Sequence, residues 1–162
     1  MNKRVLADSA QRRAIIENLE QNYFVEAGAG SGKTHSLVGR IIALVESGTA
    51  TMEEVTAITF TRKAAGELKE RLQIELEKAV GEATDEAGKN RLKTALEQLD
   101  RCFIGTIHSF CSSILRERPV EAGLDPNFTT IEGLEERLLE RQAWDSFILD
   151  QYLHNRDRKS VV

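Results

Sequence analysis

Tyr23-Phe24-Val25-Glu26-Ala27-Gly28-Ala29-Gly30-Ser31-Gly32-Lys33-Thr34 is the stretch on which the reading of the whole chain turns. Four residues with the look of a brief buried strand run into a loop with glycine at positions 28, 30 and 32, and the loop closes on Lys33-Thr34. Apart from Ala27 in its first position, the loop fits the phosphate-binding pattern G-x-x-x-x-G-K-[ST]. Glycines let the backbone turn its N–H groups inward around phosphate oxygens, and a helix that follows presents its positive end to the same charge. In that arrangement Lys33 reaches the β and γ phosphates of a nucleotide such as ATP, and Thr34 ligates the accompanying Mg²⁺. The competing reading is a glycine-rich strand-to-helix turn with Lys33 as a solvated side chain. The flanking elements decide between the two.

Downstream, Leu37, Val38, Ile41, Ile42 and Val45 fall on one face of a helix from Lys33 to Ser47, with Gly48 where a C-terminal cap belongs. Upstream, Asp8-Ser9 precede a short helix marked by Ala14, Ile15, Ile16 and Leu19. Gln11 on that helix is an ordinary surface glutamine by residue type, although its amide has the donor and acceptor needed to grip an adenine edge. Val55 to Phe60 is β-branched and apolar without alternation, the pattern of a strand buried on both faces. A helix begins near Arg62, with Ala65, Leu68, Leu72, Leu76 and Ala79 as its core stripe through about Val80. The polar stretch from Gly81 to Asn90 reads as a loop, Leu92, Leu96 and Leu99 as another helix, and Cys102 to Thr106 as a third strand. Ile107 to Arg118 continues as helix up to Pro119, and Gly123 to Thr130 is rich in turn residues. Leu134, Leu138, Leu139, Trp144, Phe147 and Ile148 mark a last, longer helix, with the aromatic residues as core or as a docking face. Three strands alternating with helices predict an α/β fold with a parallel sheet flanked by helices, of the P-loop NTPase class.

Composition narrows the class of partner. The chain has 162 residues, 41% hydrophobic, 30% charged and 6% aromatic, as expected of one globular domain or one and a part. No apolar stretch approaches the roughly 20 residues of a membrane span, and the N-terminus lacks a signal-peptide pattern. Cys102 and Cys111 are too few for a disulfide framework, match no zinc spacing and read as buried small hydrophobes, so a reducing cytoplasm is expected. The formal charge is −4, which gives no general support to nucleic-acid binding. Residues 1–80 balance 11 basic against 11 acidic groups, whereas residues 81–162 carry 11 against 15, so a polyanion would favour the first half or a local patch.

With these residues in place, the chain resembles the UvrD/Rep-like superfamily 1 DNA helicases, and more closely their RecB/AddA branch, the exonuclease V beta type. Ala10-Gln11-Arg12-Arg13-Ala14-Ile15 looks like the family's adenine-reading Q motif, and Ala27 to Thr34 is similar to its phosphate loop, Ala27 included. Thr59-Phe60-Thr61-Arg62-Lys63-Ala64-Ala65 looks like motif Ia, and Gly105-Thr106-Ile107-His108-Ser109-Phe110-Cys111 like motif Ib. Gly123-Leu124-Asp125-Pro126-Asn127-Phe128 after motif Ib suggests the branch. The likeness runs from about Leu6 to Leu139.

The resemblance implies a RecA-like motor fold, present in part: residues 1–118 as the N-terminal part of motor subdomain 1A, and residues 119–162 as the start of the helical insertion 1B. It implies that Phe60, Thr61, Arg62, Lys63, Thr106, His108 and Ser109 line a channel for single-stranded DNA, Phe60 by stacking or by supporting the wall and the others by bonding phosphates. Arg62 stands where many members carry Asn. By residue type alone, Phe60 reads as core and His108 as a helix-start or surface residue. The implied function is the ATP-binding segment of an ATP-dependent DNA helicase, with the remaining motor domains of the same polypeptide and possible helicase-nuclease subunits of DNA recombination and repair as partners. The acidic magnesium-binding strand end and the arginines of a second motor domain, both needed for hydrolysis, are not found in these residues, so this segment is expected to bind ATP without turning it over. The rival readings are a small P-loop kinase or ATPase with no DNA role, which should carry a complete acidic magnesium site, and a naturally short nucleotide-binding protein.

Overall fold

The computed structural model describes residues 8–28, 30–131 and 133–158, with side chains through Leu153. The chain divides after Glu117 into two compact units.

The first unit is built on α1 (Ser9–Glu17), α2 (Lys33–Ser47), β1 (Thr56–Thr59), α3 (Arg62–Glu82), α4 (Glu86–Glu97), β2 (Phe103–Thr106) and α5 (Ile107–Glu117). Each boundary has a local cause. Gly48 ends α2 in the left-handed conformation, φ 79°, with N–H groups of Gly48 and Thr49 donating to Val45 and Leu44 carbonyls. Thr61 caps α3 by accepting from the Ala64 N–H at 3.1 Å, and Asp85 caps α4 by accepting from the Gly88 N–H at 2.7 Å. That second cap shortens the expected loop over Gly81–Asn90 to residues 83–85. Gly88 is helical and buried, and a Cβ there would lie 3.3 Å from Glu46 Cγ, so tertiary packing against α2 carries a glycine into a helix.

The core lies where α2, α3 and α4 converge. Val38, Ile41 and Val45 of α2 meet Leu68, Leu72 and Leu76 of α3 and Leu92 and Ala95 of α4, with Met52, Val55 and Ala57 closing the strand side. Leu72, Leu76 and Leu92 are fully buried, each worth about 1.5–3 kcal/mol relative to exposure. The stripe expected on α3 is therefore the one that packs.

The sheet has two strands among the described residues, β1 and β2, paired parallel with Thr56 opposite Phe103 and Thr59 opposite Thr106. The third strand expected at Tyr23–Glu26 is not formed. Phe24 is 94% exposed and the segment has no ladder partner, and a strand exists only where a neighbour takes its backbone groups. Nor is β1 buried on both faces: Ala57 is buried while Thr56 and Ile58 are exposed. Cys102 is partly buried and Cys111 is exposed, so the expectation of two buried thiols holds for neither in full. The amphipathic α5 leaves position 111 on its outer side.

The second unit holds a turn-rich segment and α6 (Leu134–Arg158). Asp125 organises its turn by accepting from the N–H of Asn127 through its carboxylate at 2.8 Å and from the N–H of Phe128 through its carbonyl at 2.9 Å. On α6 the rings of Trp144 and Phe147 pair at 5.9 Å, both more than half exposed. No described helix is long and apolar enough to cross a membrane.

Candidate functional site

The loop from Ala27 to Thr34 is shaped by two left-handed glycines, Gly30 at φ 74° and Gly32 at φ 88°, conformations in which any other residue is strained. Gly32 is also the N-cap of α2, and its carbonyl accepts from the Ser36 N–H at 3.1 Å, so the loop passes directly into the helix. The Lys33 ammonium folds back over the loop and donates to the carbonyls of Ala27 and, at 2.8 Å, Gly28. Lys33 and Thr34 are both exposed at the loop's mouth. Ala29 falls outside the described residues.

Gln11 lies on α1, and the fold brings it to the loop. Asp8, Gln11, Arg12 and Ile15 of the α1 region, Val25 to Ala27, and Ser31, Lys33 and Ser36 line one cleft of about 250 Å³. Within it the Ser31 hydroxyl and Arg12 Nε are buried without a hydrogen-bond partner. Arg12 crosses so close to the loop that a Cβ at Gly32 would lie 3.0 Å from its Nη1. Its Nη2 pairs with Asp8 at 2.7 Å, and that hydrogen bond holds the Asp8 carboxyl below its ordinary range and the guanidinium above its own. Unsatisfied polar atoms, two positive side chains and a helix N-terminus converging on one cleft fit a polyphosphate ligand. The sequence reading had Arg12 inside the Q-motif segment but gave it no role, because nothing in a surface pattern of charges says which arginine will lie over a glycine.

The second cluster gathers at the carboxyl ends of the two strands. Because β1 and β2 run parallel and in register, Phe60-Thr61 and Thr106-Ile107 leave the sheet at the same level, and α3 and α5 begin side by side. The Thr59 hydroxyl donates to the Thr61 carbonyl at 3.0 Å and to the Gly105 carbonyl at 3.4 Å, linking the two exits. Phe60 is 98% exposed, contrary to its reading as core from residue type. Thr61, Arg62, Lys63, His108 and Ser109 are exposed as well, and Lys63 pairs loosely with Glu67 at 3.8 Å. The Thr106 hydroxyl accepts from the Ser109 N–H at 3.2 Å and so caps α5, while the Ser109 hydroxyl donates to the Thr106 carbonyl at 2.8 Å. Two capped helix N-termini thus face the same side of the sheet end, a disposition that favours anions.

A groove of about 510 Å³ adjoins both clusters. Thr34 and Leu37 from the start of α2 line it together with Thr59 and with Ala64, Glu67 and Arg71 of α3. Among the described residues no group of three or more His, Cys, Asp or Glu could hold a metal ion.

Comparison with known proteins identifies the family. The family described as UvrD/REP helicase N-terminal domain matches residues 8–160. The chain is 41% identical over 137 residues to an ATP-dependent helicase/nuclease subunit from Ligilactobacillus salivarius, covering 84% of this chain and 11% of that protein. It is 37% identical over 144 residues to the protein of the same name from Listeria welshimeri, covering 88% and 11%, and 34% identical over 167 residues to that of Limosilactobacillus fermentum, covering 98% and 12%. The chain spans about a tenth of the length of these relatives. The chain therefore belongs to the UvrD/REP helicase N-terminal domain family, with the P-loop NTPase fold that membership implies.

Proposed function

We propose that this chain binds ATP with Mg²⁺ in the cleft between α1 and the phosphate loop, and that it serves as the N-terminal part of an ATP-dependent helicase moving on single-stranded DNA. In this reading residues 1–118 belong to RecA-like subdomain 1A and residues 119–162 open the insertion 1B. The amide of Gln11 reads the adenine edge. Gly28 to Gly32 offer backbone N–H groups to the phosphates, Lys33 neutralises their charge and the Thr34 hydroxyl meets the metal. When bound, Mg²⁺ supplies charge neutralisation at the β and γ phosphates. Phe60 stacks on a base, and Thr61, Arg62, Lys63, Thr106, His108 and Ser109 meet the DNA backbone.

The observation that carries this reading is that Gln11 and Lys33, 22 positions apart in the sequence, line one cleft around a loop with two left-handed glycines. The DNA half is supported by the exposure of Phe60 beside two helix N-termini, and by relatives whose names specify an ATP-dependent helicase/nuclease. By the same likeness, we propose that the whole protein acts in DNA recombination and repair together with a second helicase-nuclease polypeptide, and, from its two isolated cysteines, that it works in the reducing cytoplasm. The rival P-loop kinase or ATPase without a DNA role lacks any comparable support. The test is ATP hydrolysis by the whole protein. Single-stranded DNA should stimulate phosphate release, and Lys33→Ala should abolish it; release that ignores DNA would overturn the helicase reading.

A further inference from the structure

α1 is a poor candidate for a fixed element. It has nine residues, none buried, and its N-cap Asp8 makes no capping bond, whereas isolated helices shorter than about 12 residues are marginal in water. Two residues of α2 hold it in place. Gly39 lets it come close, since a Cβ there would lie 3.1 Å from Ile16 Cδ1. Arg40 then reaches across. Its Nη1 donates to the carbonyls of Ile15 at 2.6 Å and Asn18 at 3.0 Å, and its Nη2 to those of Leu19 at 3.2 Å and Gln21 at 2.7 Å. The guanidinium also lies 5.1 Å from the Tyr23 ring centroid. These carbonyls belong to the last turn of α1 and the segment just after it, groups a helix end leaves without intrahelical partners. A planar fork of donors can serve four of them at once; a lysine ammonium, with three donors at one point, cannot.

Arg40 lies seven residues after Lys33, two turns along the same helix. The clamp therefore ties α1, with Gln11, to the helix that opens at the phosphate loop. We propose that Arg40 is a positioning residue for base recognition: by gripping the end of α1 it fixes Gln11 relative to the phosphate loop, so that a nucleotide is read at its base and its phosphates by one rigid unit. This rests on the reading of Gln11 as the base contact. Without the clamp α1 samples many placements and base binding must order it, whereas phosphate binding through the loop and Lys33 of α2 loses only the share that Arg12 carries on α1.

The test compares Mg²⁺-ATP with inorganic tripolyphosphate, which has the phosphates and no base, by calorimetry on the protein and on Arg40→Met, Arg40→Lys and Gln11→Ala. Arg40→Met should weaken ATP binding about tenfold and tripolyphosphate binding distinctly less, by the share of Arg12 alone. Gln11→Ala should weaken ATP binding and leave tripolyphosphate binding unchanged, and the two substitutions combined should cost ATP little more than either alone. Arg40→Lys keeps the charge and stem, so it remains informative if Arg40→Met fails to fold, and it should show a smaller loss that again falls mainly on ATP. Equal weakening of both ligands in the Arg40 variants would overturn the proposal, since Arg40 would then merely support α2; so would no change in either. If Gln11→Ala leaves ATP binding intact, the reading of Gln11 falls and the proposal with it. If Gln11→Ala shows the split and the Arg40 variants do not, the reading of Gln11 survives and the proposal alone fails.

Discussion

The ammonium of Lys33 lies 2.8 Å from the carbonyl oxygen of Gly28, so the cation expected to meet phosphate is held by the backbone of its own loop. Nucleotide binding on this geometry exchanges carbonyl bonds for stronger, charge-paired ones to phosphate oxygens. Lys33→Ala should weaken Mg²⁺-ATP binding by roughly 1.5–3 kcal/mol, the range for hydrogen bonds to charged groups. The side chain is exposed, so thermal stability should hardly change. Calorimetry and a melting curve on the same samples check both halves, and equal affinities would remove Lys33 from the site.

At the strand ends, Arg62 and Lys63 open α3 beside the exposed Phe60. Replacing both with Ala should weaken single-stranded DNA binding irrespective of base sequence and flatten the dependence of log K on log salt by about 1.4, the slope expected for two single-strand phosphates. Phe60→Ala should cost about 1–3 kcal/mol through lost stacking without altering that slope. Fluorescence anisotropy across a salt series separates the two effects. An unchanged affinity in the double variant would leave both residues as helix-surface side chains.

Gly105 should tolerate no side chain. A Cβ there would lie 2.6 Å from Ser109 Oγ and 2.8 Å from Phe103 Cζ, and Phe103 is itself paired with Phe110 at 5.4 Å. Gly105→Ala therefore has to turn the Ser109 hydroxyl away from the Thr106 carbonyl and push the Phe103 ring. Overpacking of this kind typically costs about 1–3 kcal/mol. Denaturant unfolding should show that loss together with weaker DNA binding, while Gly66→Ala, in open space on α3, should show neither.

A pH series tests the tie between α3 and the turn before β2. Lys69 Nζ lies 2.6 Å from Asp100 Oδ1, and this hydrogen bond holds the Asp100 carboxyl below its ordinary range and the Lys69 ammonium above its own. A depressed carboxyl adds stability above its unfolded pKa and loses it as pH falls through the folded value; a raised ammonium adds stability below its unfolded pKa and loses it as pH rises through the folded value. The melting temperature should therefore drop slightly in Asp100→Asn at neutral pH. The difference from the parent should fall away as pH drops through the lowered Asp100 value and shrink as pH rises through the raised Lys69 value. Because Asp100 is 93% exposed, added salt should diminish it too.

How much could be read in advance depended on the range of the interaction responsible. The helices α2 and α3 were legible because their causes are local: an apolar stripe at helical spacing, a terminal Gly48, a capping Thr61. The phosphate loop was legible for the same reason, since glycine spacing and Lys33-Thr34 lie within eight consecutive residues. Tyr23–Glu26 was misread because strand character in a sequence says nothing about whether a partner strand lies alongside. Phe60 reads as core by hydrophobicity, yet the parallel register of Thr59 with Thr106 places it beyond the sheet's end, where no layer covers it.

The sequence alone determined the chemistry available: a loop able to cradle phosphates, a glutamine able to read a base, and two short motifs able to meet a nucleic-acid backbone. Each is a property of residues close together in the chain. Only the tertiary structure decided their arrangement. Arg40 closes on the carbonyls of Ile15, Asn18, Leu19 and Gln21, and Arg12 lies over Gly32, through contacts that span 19 to 25 positions. Backbone carbonyls are the same at every residue, so no pattern of side chains marks which of them an arginine will reach; that follows from helix packing alone.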